Sequence, residues 1–146
     1  MSLLTNRKAR FNYEILEQLE SGIELSGFEV KAIRKGQGSL DGAHVSIRGG
    51  EAFLIGFDLP PYQAKNTPTD YERTRVRKLL LTKKEINVLS NEGSKKGIAI
   101  IPLSIFLKNN KLKVDIALAR GKKKFDKRES IKKRDTERDI RKLNKF

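Results

Sequence analysis

Ile98-Ala-Ile-Ile-Pro-Leu-Ser-Ile-Phe-Leu107 and Leu112-Lys-Val-Asp-Ile-Ala-Leu118 lie on either side of Asn109-Asn110. Two apolar runs of strand length around a residue pair that tolerates tight-turn backbone predict a β-hairpin. Pro102 has no N–H to give to a ladder, so the first run is expected at a sheet edge or at a bulge. Working outward, Val45-Ser-Ile-Arg48 and Ala52-Phe-Leu-Ile55 flank Gly49-Gly50 and predict a second hairpin. Arg77-Lys-Leu-Leu-Leu81 reads as a short strand, and Tyr13-Glu-Ile-Leu-Glu-Gln-Leu19 half-alternates as another.

Helix signals are fewer. Ser26 with Glu29 three residues later predicts a helix start, and Gly36 a stop. Thr82-Lys-Lys-Glu85 is a second capping box, opening a helix through Leu89 to about Asn91 that stops near Gly93. This makes five or six short strands with about two helices inserted, and no regular strand–helix alternation. The pattern predicts a mainly β protein, a small antiparallel sheet or closed barrel, rather than a doubly wound parallel fold. Residues 58–74, with Pro60, Pro61 and Pro68, are expected to form a mobile loop.

The chain has 146 residues, 32 Lys and Arg against 18 Asp and Glu, and a formal net charge of +14. There is no Cys and one His, so disulfides, thiolate metal sites, a cysteine nucleophile and multi-histidine sites are excluded. No apolar run reaches the ~18 residues of a membrane span, and Met1 to Arg10 lacks the pattern of a signal peptide. A soluble, cytoplasmic protein with a polyanionic partner is expected, nucleic acid being the commonest one. Residues 120–146 hold 13 of the basic residues and 5 of the acids, a net of +8, leaving +6 on residues 1–119. The division suggests a body, 1–119, and a basic tail, 120–146. Beyond Phe125 the large apolar residues are Ile131, Ile140, Leu143 and Phe146, too few to offset ordering entropy. The tail is therefore expected to be mobile in the free protein and to become helical on a partner. Glu129–Lys133 and Glu137–Arg141 at i,i+4 add support for that helix.

An enzyme reading finds little in the residues. Gly36-Gln-Gly-Ser-Leu-Asp-Gly42 lacks dinucleotide-loop spacing, Gly93 to Gly97 is no P-loop, and His44 has no placed partner. Nucleic-acid binding has three supports. Gly121-Lys-Lys-Lys-Phe-Asp-Lys-Arg128 sets one aromatic among cations, which can stack while the cations meet phosphates. Asn6-Arg-Lys-Ala-Arg10 is a basic lead-in to the first strand. Arg73-Thr-Arg-Val-Arg-Lys78 sets four cations on an extended segment, either an RNA surface or a charged edge strand guarding against aggregation. Glu20 reads as a surface charge or as an acceptor for a base edge, and Glu29 as a capping partner. A general RNA-binding protein and an RNA-processing enzyme remain as rivals.

Taken together, collinear motifs resemble SmpB, the SsrA-binding protein family. They are Asn6-Arg-Lys-Ala9, Glu20-Ser-Gly22, Gly27-Phe-Glu-Val-Lys31 with Arg34 and Gly36, Gly50-Glu-Ala52 with Leu54, and Pro61-Tyr62. Arg75-Val-Arg-Lys-Leu-Leu-Leu81 with Glu85-Ile86, Lys96-Gly97, Pro102-Leu103 and the Gly121–Arg128 run follow. The resemblance implies an OB-like antiparallel β-barrel with embedded helices and a flexible tail that becomes helical on the ribosome. It implies a monomeric, non-enzymatic protein without cofactor that binds the tRNA-like domain of transfer-messenger RNA and delivers it to stalled ribosomes for trans-translation. By position, Asn6, Arg7, Glu20, Leu80 and Lys113 fall at RNA-contacting sites of the body. Gly121, Lys122, Lys123, Phe125, Asp126, Lys127 and Arg128 fall on the tail motif that enters the decoding centre and vacant messenger channel of the small subunit. Two departures stand out. Glu72-Arg73 replaces an usual Asp-Pro, and His44 replaces a frequent Tyr, which favours packing over chemistry for that residue.

Overall fold

A computed structural model describes residues 2–61 and 68–122. In chain order the elements are β1 (Ser2–Thr5), α1 (Arg7–Asn12), β2 (Tyr13–Ile23), α2 (Gly27–Arg34), β3 (His44–Arg48), β4 (Glu51–Ile55), β5 (Arg77–Leu80), α3 (Lys83–Gly93), β6 (Ile98–Lys108) and β7 (Lys111–Gly121). The strands form one antiparallel sheet in the order β1-β6-β7-β2-β5-β4-β3. The sheet curls until β3 packs against β6, and α3 packs on both. This is the mainly β architecture expected, closed by side chains and not by a ladder among the described residues.

Both hairpins form where the turns predict them. Asn109 and Asn110 adopt φ of 53° and 62°, and Gly49 and Gly50 adopt 58° and 75°. Two successive left-handed residues give the turn whose twist matches paired strands. Pro102 sits at a bulge: Pro102 pairs Ile116 while Ser104 pairs Asp115. The extra residue shifts the phase of β6, so Ile100 and Ile105 both face the main core while Ile101 and Leu103 face a second one. The main core joins Ile33, Leu54, Phe57, Leu79, Val114 and Ile116 inside the barrel. The second lies outside the β6–β7 ladder, where Ala9 of α1 covers Ala117 and Ala119.

Both capping boxes form. Glu29 accepts from Ser26 N and Oγ, each at 3.0 Å, and Glu85 accepts from Thr82 N at 3.0 Å. β1 and α1 are additions to the sequence reading. Each is too short for a periodic signal, and both depend on a distant partner. Asn6, at their junction, is 7% exposed; its N donates to Leu103 O at 2.8 Å and its Nδ2 to Pro102 O at 2.9 Å. Asn6 thus satisfies carbonyls at the β6 bulge, which burial would make costly to leave unpaired.

The described parts of the 58–74 connection are joined by hydrogen bonds and an ion pair. Leu59 N donates to Arg73 O at 2.9 Å, Arg73 grips Asp58 with Nε at 3.0 Å and Nη2 at 3.2 Å, and Tyr71 OH donates to Leu59 O at 2.9 Å. The expected mobility and partner-induced helix of residues 123–146 lie outside the described residues. No helix among the described residues is long and apolar enough to cross a membrane.

Candidate nucleic-acid interface

Along β7, residues 113, 115, 117 and 119 share the outer face of the sheet. α1 covers Ala117 and Ala119, leaving Asp115 and Lys113 beyond its edge. The register sets Glu20 opposite Asp115, and Gly22 between Lys113 on one side and Leu80 on the other. Three of the residues expected to contact RNA, Glu20, Leu80 and Lys113, are thereby brought together on one open surface. Leu80 is 52% exposed, and Lys113 half-buried. With Gly22, Lys78, Lys83 and Glu85 they line an open cleft of about 600 Å3. Gly22 makes the close approach possible: a Cβ there would stand 3.1 Å from Leu80 Cβ.

The charges on this face alternate. Lys108 Nζ reaches Glu20 Oε2 at 3.1 Å. Burial pushes the Asp115 carboxyl above its ordinary range; Arg10 opposes the shift and Glu20 adds to it. Arg7 is exposed beside Thr5, Gly38 and Asp41 at a separate small cleft, and Asn6 is buried at the bulge. The structure does not bring those two to the Leu80 patch. Phe106 is registered with Lys113 and Phe53 with Lys78, two half-buried rings on the outer face that carry no local sequence signal. Only the cross-strand register places them there.

The Arg73–Lys78 run does not take the edge-strand role. β5 lies between β2 and β4, so it is not an edge strand, and its one arginine, Arg77, turns inward. Arg77 and Glu29 have fully buried side chains. Arg77 Nε donates to Glu29 Oε2 at 2.8 Å, Nη1 to Phe57 O at 2.8 Å, and Nη2 to Tyr71 OH at 3.0 Å and Arg73 O at 3.1 Å. Its guanidinium lies 4.9 Å from the Phe57 ring centroid. Arg75 also binds Glu29, through Nε at 3.1 Å and through Nη2. Lys78 pairs with Glu51 at 3.3 Å. Glu29 is thus far more than a capping partner, and the four cations are engaged by the fold.

Burial raises the Glu29 carboxyl, but hydrogen bonds from Arg75, Ser26 N and Arg77, with the Arg77 charge, hold it down at about 2 against an ordinary 4.5. A folded-state value below the unfolded one stabilises the protein above the unfolded value, and that stability is lost as pH falls through the folded one. The urea midpoint is therefore expected to fall between about pH 4.5 and 2, and to fall less steeply in Glu29→Gln across that window.

On the tail side, Gly121 ends β7 opposite Tyr13, and Lys122 N donates to Asn12 O at 2.9 Å. Lys123, Phe125, Asp126, Lys127 and Arg128 lie outside the described residues. His44, expected to pack, is exposed and borders an open cleft of about 830 Å3. Its strand ends the sheet order, and among the described residues nothing covers it. Among the described residues no cluster could hold a metal ion.

The family model described as SmpB protein matches residues 3–146. An SsrA-binding protein of Gloeothece citriformis is 48% identical over 140 residues, covering 96% of this chain and 90% of the relative. One from Elusimicrobium minutum is 51% identical over 138 residues, covering 94% and 87%. A chain of the solved structure described as "tmRNA-SmpB: a journey to the center of the bacterial ribosome" is 40% identical, with a TM-score of 0.68 over 83% of this chain and 85% of that one. Matched along nearly its whole length by sequence and by fold, this chain belongs to the SmpB protein family.

Proposed function

We propose that the protein binds transfer-messenger RNA through its barrel and delivers it to stalled ribosomes for trans-translation, the C-terminal tail occupying the decoding centre and the vacant messenger channel. The observation that carries the RNA-binding half is the convergence of Glu20, Gly22, Leu80 and Lys113 on one exposed face. Lys113 supplies a cation for phosphate, Leu80 an apolar contact, and Glu20 an acceptor for a base amino group. Asn6 serves this surface indirectly, by fixing the start of α1. Arg7 contacts RNA as a separate cation. The tail motif of Gly121, Lys122, Lys123, Phe125, Asp126, Lys127 and Arg128 discriminates an empty channel from a filled one by exclusion. The protein acts as a cytoplasmic, monomeric binding factor without catalysis of its own.

Binding of the isolated tRNA-like domain at fixed salt tests the body. Lys113→Ala is expected to weaken it about tenfold and to lower the salt slope by about one, with thermal unfolding nearly unchanged. Equal affinity for unrelated structured RNAs would instead identify a general RNA-binding protein.

A further inference from the structure

Three consecutive leucines, Leu79, Leu80 and Leu81, close β5 and lead toward α3. In the observed register Leu79 is 1% exposed and Leu80 52%. A one-residue slip would put Leu80 inside and another leucine outside, with no change in the chemistry buried at that point. The apolar pattern that normally sets register is therefore degenerate here. The ladder itself is weak. β5 has four residues and pairs β2 through only Gly22–Leu80 and Ile23–Leu79, with Glu24 N to Lys78 O at 2.9 Å beside them. Yet β5 is the one strand that joins β1-β6-β7-β2 to β4-β3 among the described residues.

What breaks the degeneracy is Arg77, two residues before Leu79. It is buried where that slip would place Lys78 instead, and its guanidinium finds partners on α2, at Phe57 just beyond β4 and on the 71–75 segment. A buried ion pair adds little net stability, but it can select one register. We infer that Glu29 is a positioning residue for the RNA face: by holding Arg77 it fixes the register of β5 and so presents Leu80 opposite Gly22. Glu29 itself is buried and touches no solvent. This inference rests on the reading of Leu80 as an RNA contact.

The test uses the full chain and Glu29→Asp, which keeps the charge but shortens the arm by one methylene. Without RNA, and under conditions where both proteins are folded, the backbone amide resonances of Gly22, Leu79 and Leu80 are expected to move while those of β3 stay. Affinity for the tRNA-like domain is then measured in a cycle with Leu80→Ala. Each single variant is expected to weaken binding about tenfold, and the double variant no more than Leu80→Ala alone. Unmoved resonances, or losses that multiply to about a hundredfold, would overturn the inference. If Leu80→Ala alone leaves affinity unchanged, the reading of the face fails, and the resonances by themselves decide whether Glu29 positions β5. Should Glu29→Asp not fold, Glu29→Gln gives the same readouts, because it keeps the length of the arm and removes the charge that holds Arg77.

Discussion

Glu29→Ala is expected to lose about 3–5 kcal/mol of folding stability, enough to lower the melting temperature by roughly 10 °C or more. The cause is the group left behind. Arg77 is completely buried, and among the described residues Glu29 is its only carboxylate partner at salt-bridge distance. Without it a guanidinium stays in the core with carbonyl and hydroxyl partners but no opposite charge. Arg75, about one-third exposed, can turn to water, so it contributes less to the loss. The double variant Glu29→Ala/Arg77→Met is expected to regain a substantial part of the stability, since it removes the unpaired charge. Chemical denaturation of the three proteins checks both statements. A loss in Glu29→Ala of the size of an ordinary helix-cap deletion, about 1 kcal/mol, would reduce Glu29 to its role at Ser26.

Deleting residues 123–146 is expected to leave affinity for the tRNA-like domain within a few-fold of wild type and to abolish tagging on stalled ribosomes. The cut is placed after Lys122 for a structural reason. β7 runs to Gly121, Arg120 pairs with Glu14 across the ladder, and Lys122 closes on Asn12. A cut after Ala119 would remove part of this seam and confuse loss of the tail with damage to the body. Tagging assays with purified ribosomes, alongside RNA binding at the same salt, separate the two. Tagging that survives the deletion would refute the division of labour between barrel and tail.

Legibility in the sequence followed the range of the forces involved. Both hairpin turns and both capping boxes are set by residues within a few positions of one another, and all four formed where expected. Pro102 announced its bulge because a missing N–H is a local fact. β1 and α1 were not legible, because Asn6 is held by Pro102 and Leu103 nearly a hundred residues later. The Arg73–Lys78 run misled for the same reason. Arg75 and Arg77 resemble part of a phosphate-binding strip until Glu29 is placed beside them. Resemblance named Asn6, Arg7, Glu20, Leu80 and Lys113 as RNA contacts, of which the last three share one face, while Phe53 and Phe106 emerged only from their positions on the sheet.

By itself the sequence determined the antiparallel β class, the turn positions, the helix starts, the concentration of positive charge toward the C-terminus and the exclusion of thiol and multi-histidine chemistry. Those follow from local backbone preference and from composition. Tertiary structure decided which charges meet water and which are buried against one another. It also decided which of three adjacent leucines faces outward. An arginine or a leucine has the same intrinsic chemistry in either place, and only a partner brought from far along the chain makes one of them the lower in free energy.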